Sequence, residues 1–362
     1  MFKHVWKRFR QVRLNSMQKP MPKPMPLSTL ANLEQYLELE KVSENVYSNV
    51  STLRVPFGGR GIFGGTLVAQ SLYAALLNVD EKFRPISMHC NFLVAANTKS
   101  RIEYHVETLR DGKNFCSRQV KAKQNNQLIF LGSISFRSER LEGSSGASDS
   151  PKLSHYRRAP IVGKDIPSPE DCHEQTEVFM EWAKNSKDNV QLQKLAKNPQ
   201  QLLDSYDAEP CKWRLPMDMF DLSQVAPEEF DKFVSDRVLR YWVKSKSHFK
   251  SPRFNDVAIA YISDYFFLSS NMRLNMQEMF TSSFSVSLDH TIHFYDKFNI
   301  DEWLSFSIRS KVCQDDRALV TGEIYSESGQ LVATVLQEGL QALPAHAQLE
   351  PQQRKSTIKA KL

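Results

Sequence analysis

The sequence predicts an α+β protein built from two copies of one unit, a buried helix followed by a meander of antiparallel strands. Three observations predict it. A glycine cluster opens an apolar helix within residues 57–77, four strand-like segments follow over residues 86–137, and the same order of elements returns from residue 237. Phe294 stands 202 residues after Phe92, and Gln330-Leu331 stands 203 after Gln127-Leu128. Identity between the halves is low, so the repeat rests on the order and length of the elements.

In the first half a short helical pattern (Leu33, Tyr36, Leu37) leads into a β-branched stretch at 46–55 that reads as a strand. The block Phe57-Gly-Gly-Arg-Gly-Ile-Phe-Gly-Gly65 then precedes Thr66-Leu-Val-Ala-Gln-Ser-Leu-Tyr-Ala-Ala-Leu-Leu77. Glycines at the start of a helix that is apolar nearly all round indicate burial and a close approach of other groups to its N-terminus. No Gly-Lys-Ser/Thr ends the block, so it is not a phosphate-binding loop. Strands are expected at 86–95, 101–109, 115–123 and 128–137, with turn residues at Ala96-Asn97, Asp111-Gly112 and Gln124-Asn125-Asn126. Residues 144–230 are polar and punctuated by proline, with one helical stretch near 177–195, and read as a connector. The second half repeats the pattern: a strand at 237–246, an apolar helix at 256–268, and strands at 284–294, 304–312, 318–325 and 331–340. The division is a basic leader 1–29, a first unit 30–140, a connector 141–230, a second unit 231–345 and a tail 346–362.

Composition excludes several classes. The net charge of +6 is concentrated at the ends: seven cations precede Glu34 and four follow Glu350, leaving a body of net charge −5. Such a body presents no basic face for nucleic acid. Five widely spaced cysteines form no Cys-x-x-Cys, so no disulfide framework, zinc site or other metal site is expected, and a reducing compartment is. The longest apolar run, near 257–268, is broken by Ser263 and Asp264 and is too short to cross a bilayer, so no stable membrane insertion is expected.

The ends read as addresses. Ala360-Lys361-Leu362 is a small-basic-leucine tripeptide close to the C-terminal Ser-Lys-Leu signal, predicting import into the peroxisome matrix by a receptor for that tripeptide. Residues 1–13 carry five cations, no acid, and Phe2, Val5, Trp6, Phe9 and Val12, as a transit peptide or a surface-seeking amphipathic helix does. A mitochondrial or cytosolic pool through this leader is the alternative, and Met17 offers a second start.

Among residues able to do chemistry, Asp264 is the one ionisable acid within Ala258-Ile-Ala-Tyr-Ile-Ser-Asp-Tyr-Phe-Phe-Leu268. A carboxylate on a buried helix marks either a site or an end that reaches solvent. Ser287 and Gln337 fall in strands of the same half, where spacing alone makes them ordinary solvent-face residues. His89 and His290 have no metal-ligand spacing and read as structural strand histidines, and no Gly-x-Ser-x-Gly elbow occurs.

The block Phe63-Gly-Gly-x-x-x-Ala-Gln-Ser-Leu72, the run Val106-Glu-Thr-Leu-Arg-Asp-Gly-Lys-Asn-Phe-x-x-Arg118, and Leu288-Asp-His290, Phe298-Asn-x-x-Glu-Trp-Leu304 and Val335-x-Gln-Glu-Gly339 resemble the acyl-CoA thioesterase II family over most of residues 30–343. The resemblance implies a tandem (double) hotdog fold, two antiparallel sheets each wrapped around a long helix. It implies hydrolysis of fatty acyl-CoA to fatty acid and coenzyme A, without cofactor, by a homo-oligomer. It also implies a catalytic trio of Asp264, Ser287 and Gln337, with Ser287 where bacterial members have Thr. Gln70 stands in the first half where the second has Asp264, so the second unit alone carries a complete trio. Asp264 would act as general base on a water. Backbone N–H groups at Gly64 and Gly65 are candidates for stabilising the oxyanion. Arg110, Lys113 and Arg118 either pair with coenzyme A phosphates or lie on a solvated turn. Phe92 and Tyr265-Phe-Phe267 line the acyl tunnel or pack the core. A hotdog enoyl-CoA hydratase and a non-catalytic acyl-CoA binding module are the competing functions.

Overall fold

A computed structural model describes residues 32–56, 59–139, 153–186, 209–344 and 347. The leader and the tripeptide Ala360, Lys361 and Leu362 lie outside these.

The first unit runs α1 (Leu33–Leu37), β1 (Leu39–Ser43), β2 (Val46–Asn49), α2 (Gly64–Leu76), β3 (Phe83–Phe92), β4 (Ile102–Asp111), β5 (Phe115–Gln124) and β6 (Gln127–Ser138). Asn32 caps α1 by accepting from the Gln35 N–H through its side chain. α2 is buried on nearly every side, and the strands around it alternate. In β5, Cys116, Arg118, Val120, Ala122 and Gln124 turn inward while the residues between them are less buried. The strand expected at 46–55 ends at Asn49, and β1 before it was not foreseen.

Residues between the units supply β7 (His173–Glu174), α3 (Gln175–Asn185), β8 (Cys211–Leu215) and α4 (Pro227–Asp231). Part of the expected connector therefore belongs to the sheet: β8 pairs with β9 (Leu239–Ser245), and β7 pairs with β8. The second unit continues with α5 (Phe254–Ile262), α6 (Ser270–Leu274), β10 (Phe284–Ser287), β11 (Asp289–Phe294), β12 (Leu304–Gln314), β13 (Arg317–Ser326) and β14 (Leu331–Ala342).

Two departures from expectation shape the site. The helix expected to run to residue 268 stops at Ile262, and the chain turns through Phe266 at φ +60° before α6. The strand expected at 284–294 bends at Leu288. There Leu288 N–H donates to the Glu338 carbonyl (2.9 Å), its carbonyl accepts from Phe92 N–H (2.9 Å), and Asp289 Oδ1 accepts from Glu338 N–H (2.9 Å).

The two units' sheets are joined edge to edge. β3 pairs antiparallel with β11, Met88 opposite Ile292 and His89 opposite Thr291, so the two sheets expected of the tandem units are continuous, with 14 strands among the described residues. α2 and α5 lie together on its helix-bearing face. A Cβ on Gly65 would stand 2.4 Å from the Tyr261 carbonyl oxygen, so glycine is what lets the helices meet there. Two buried acids also tie the halves. Arg84 reaches Asp256 (3.1 Å), and Arg54 reaches Glu209 (2.6 Å), which also accepts from Tyr265 Oη (3.1 Å). On the outer face, residues 157–172 cover β9, with Trp242 Nε1 donating to the Pro167 carbonyl (2.9 Å). No described helix is long and apolar enough to cross a membrane.

Candidate active site

Bending at Leu288 and ending α5 at Ile262 bring three side chains together at the seam. Gln337 lies in β14 opposite Val320 of β13, on the face toward the helices. Its amide nitrogen donates to Asp264 Oδ1 (2.7 Å) and to Ser287 Oγ (2.8 Å). Gln337 is buried, while Asp264 and Ser287 are only partly covered.

The first unit completes this cluster. The Gly65 N–H, in the first turn of α2, donates to the Asp264 carboxylate. A Cβ on Gly64 would stand 2.7 Å from Asp264 Oδ2 and 3.0 Å from the Phe92 ring. Burial pushes the Asp264 carboxyl up to about 6, and the bonds from Gln337 and Gly65 hold it down against that tendency. A base in that range is ionised at neutral pH yet still accepts a proton readily. The nearby Cys90 thiol, buried in β3 beside Asp264 and Asp289, is pushed far up, so it is no thiolate nucleophile at neutral pH.

Sequence reasoning set His290 aside as a structural residue, and the structure places it against the cluster. It is fully buried in β11, its Nε2 lies 2.8 Å from Ser263 Oγ, and burial holds its ring neutral, down to about 3. Gln337 favours the protonated ring, which places the amide oxygen toward it. Neither His290 Nδ1 nor Gln337 Oε1 has a hydrogen-bond partner among the described residues. Ser263 Oγ carries one proton, for which the Ala260 carbonyl (3.1 Å) and His290 Nε2 compete, and the ring backs the Gln337 side chain that reaches Asp264 and Ser287. The Leu288-Asp-His290 motif was the available signal, because it places this histidine beside the bend that presents Ser287.

Other expected residues fall elsewhere. The Gly65 N–H serves Asp264, so it is not an open donor for an oxyanion, and Gly64 acts by leaving room for the carboxylate. Arg118 is buried and spent on the fold: it donates to Asn78 Oδ1 (2.7 Å) and pairs with Asp111 (2.7 Å). Asn78 lies just past the C-terminus of α2, whereas Asp264 meets its N-terminus, about 20 Å away along a helix of this length. Arg110 and Lys113 are exposed at the same remote hairpin. Phe266 and Phe267 are core residues, Phe266 against Trp213 and Phe220 and Phe267 against Gly322, while Phe92 borders Asp264. The described residues contain no group of three His, Cys, Asp or Glu side chains able to hold a metal ion.

Two units of strand-wrapped helix, fused edge to edge with the helix start of one facing the carboxylate of the other, define a double hotdog protein. The family model described as acyl-CoA thioesterase matches residues 218–340, and the one described as acyl-CoA thioesterase N-terminal domain matches residues 53–137. The peroxisomal acyl-coenzyme A thioester hydrolase 1 of Saccharomyces cerevisiae is 31% identical over 341 residues, spanning 86% of this chain and 94% of the relative. The acyl-CoA thioesterase 2 of Haemophilus influenzae is 29% identical, spanning 86% and 97%. The crystal structure of the acyl-CoA thioesterase II TesB2 from Mycobacterium marinum superposes with a TM-score of 0.62 at 25% identity, covering 87% of this chain and 100% of that one. The chain belongs to the acyl-CoA thioesterase family.

Proposed function

We propose that the protein hydrolyses fatty acyl-CoA thioesters to free fatty acid and coenzyme A, using a water held by Asp264, Ser287 and Gln337. The observation that carries this reading is the single amide nitrogen of Gln337 donating to both Asp264 and Ser287. Because Ser287 Oγ accepts from Gln337, its own proton is left to donate to the water or to the Asp264 carboxylate. Asp264 takes a proton from the water as its oxygen adds to the thioester carbon. The C–S bond then breaks, and the thiolate leaves and takes up the proton held on Asp264. Thiolate is a far better leaving group than alkoxide, so no strong general acid is needed. The field at the positive end of α2, which starts beside Asp264, favours the negative charge that builds on the carbonyl oxygen, although the Gly65 N–H itself is taken by Asp264.

The test is thiol release from short, medium and long acyl-CoAs by the intact chain and by Asp264→Asn. The reading requires a loss of roughly 10²- to 10⁴-fold in kcat with acyl-CoA binding retained. Binding without release from any of them by the intact chain would assign it instead to acyl-CoA carriage. A peroxisomal location belongs to the same reading and is supported by the name of the yeast relative. A fluorescent fusion with and without Ala360-Lys361-Leu362 tests both the compartment and the import receptor. The homo-oligomer expected of the family is tested by light scattering on the purified protein.

A further inference from the structure

We propose that a cleft on the outer face of the second unit's sheet is a binding site for a polyphosphate anion, separate from the site at Asp264. The cleft, of about 410 Å³, lies between residues 157–165 and strands β9, β12 and β13, and is lined by Arg157, Arg158, Lys164, Asp165, Arg240 and Arg309. Its volume exceeds what one phosphoryl group fills and reaches the range of small-ligand sites.

Charge there is unbalanced in a way the fold does not need. Glu323 is occupied by Arg309 (2.5 Å) and approached by Arg157 (3.8 Å). Asp165 Oδ2 already accepts from the Ile161 N–H (2.9 Å), and it is the one remaining carboxylate lining the cleft, facing Arg158, Lys164 and Arg240. Arg240 donates from Nη1 to the Asp165 carbonyl (3.1 Å), yet its buried Nε has no acceptor among the described residues. Burial, first, and the nearby buried guanidinium of Arg309 disfavour the Arg240 charge, and together they outweigh Asp165, Glu229 and Glu323, which favour it. A buried donor without an acceptor, beside a like charge, costs stability.

The same covering segment shows the alternative two residues along β9. There Trp242 is covered by Ile166 and Cys172, a dry contact that closes the sheet face without any ion. At Arg240 the covering brings Arg157, Arg158 and Lys164 together with Ala159, Pro160 and Ile161. An anion with several oxygens would satisfy Arg240 Nε and engage Arg158 and Lys164 together.

The cleft cannot be an arm of the catalytic cluster. Arg240, Ser307, Arg309 and Tyr325 alternate along their strands with Tyr241, Phe306, Ile308 and Ile324, which pack in the core on the helix face. Gln337 shares that core face with its strand partner Val320. The two sites therefore lie on opposite sides of one sheet.

Calorimetric titration of the full chain with inorganic pyrophosphate at low salt tests the proposal, with ATP and AMP as further probes. The expected result is saturable pyrophosphate binding that weakens at least tenfold in Arg240→Gln and is unchanged in Asp264→Asn. The doubly substituted Arg158→Ala, Lys164→Ala chain, altered only at exposed positions, weakens it likewise and guards against misfolding of the first variant. Tighter binding of ATP than of pyrophosphate assigns a nucleotide, and equal binding assigns a free polyphosphate. No saturable binding at millimolar pyrophosphate overturns the proposal, as does binding that survives in both cleft variants or is lost in Asp264→Asn.

Discussion

A general base must be ionised to work, and the surroundings of Asp264, the base proposed here, oppose ionisation. Its carboxyl, displaced from 3.8 to about 6, is mainly desolvated, and the Gln337 and Gly65 bonds offset only part of that cost. Activity then rises with pH through about 6 and levels above it, which a kcat/KM profile shows as a single acid limb. The same displacement has a stability consequence of definite sign. The folded chain holds this proton more tightly than the unfolded chain, so stability falls as pH rises from about 4 to about 6. The loss is on the order of 3 kcal/mol, and it persists above that window. Asp264→Asn removes the charge and keeps one acceptor oxygen, while its NH2 meets one of the two donors, Gln337 or Gly65. Because the desolvated charge costs more than one lost acceptor, the variant is expected to lose roughly 10²- to 10⁴-fold in kcat and yet unfold at a higher temperature than the unsubstituted chain at pH 7, which a thermal melt checks. His290 lies one residue further out, behind the Gln337 amide, and is proposed to hold that side chain in place. His290→Gln is expected to lower kcat roughly a hundredfold while KM is unchanged, with the acid limb still near 6, because His290 is neutral throughout the working range. A shifted limb would show that the ring itself titrates in the reaction. Of this cluster, Asp264 was visible in the sequence as an acid in an apolar run. Ser287, Gln337 and His290 were not, since a polar residue on a strand looks the same whether it faces water or a site; family resemblance, not spacing, picked out the first two.

Elements position these residues by how they stop. The run Tyr265-Phe-Phe-Leu268 is apolar enough to continue α5, and periodicity gives no reason for the helix to end at Ile262, because a segment buried on all sides carries no stripe. Where the chain turns, Tyr265 and Phe266 both pack on Trp213, Tyr265 stacked at 4.3 Å and Phe266 also meeting Phe220, while Phe267 goes the other way to lie over Gly322. That turn carries Asp264 off the helix and onto the seam. The start of α2 was legible for the converse reason, since paired glycines announce close approach whatever the partner. What approaches was hidden: the Tyr261 carbonyl at Gly65, and the Asp264 carboxylate at Gly64. Gly65→Ala is expected to destabilise the fold by about 1 to 3 kcal/mol, because a methyl there meets backbone and the Phe63 ring together. Gly64→Ala meets two side chains instead, Asp264 and Phe92. Its expected signature is a fall in kcat with a much smaller change in melting temperature, and comparing the two variants by melt and by thiol release separates the roles.

At the scale of the whole molecule the candidate site belongs to neither unit alone. The second unit holds Asp264, Ser287 and Gln337, and the first supplies the Gly65 N–H and Phe92 across the β3–β11 seam. Sequence periodicity predicted the two units and could not predict the seam, since alternation says which face of a strand is buried and not which strand lies beside it. The polar stretch before the second unit hid β7 and β8 for a similar reason, being too short and too charged to read as sheet. Glu209, at the start of β8's approach, is 2% exposed and is held by Arg54 of the first unit and by the Tyr265 hydroxyl of the second. This buried acid fixes the relative placement of the halves only while its partner is present. Arg54→Leu leaves the carboxylate buried beside two tyrosines, at an expected cost of about 3 to 5 kcal/mol in denaturant unfolding. Glu209→Leu in the same chain removes the stranded charge and is expected to recover most of that loss, giving a strongly non-additive pair. Thiol release should track the folded fraction in both variants, because neither side chain touches Asp264, Ser287 or Gln337. A double variant no more stable than Arg54→Leu would show that the arginine acts through its other contacts and not through the buried acid.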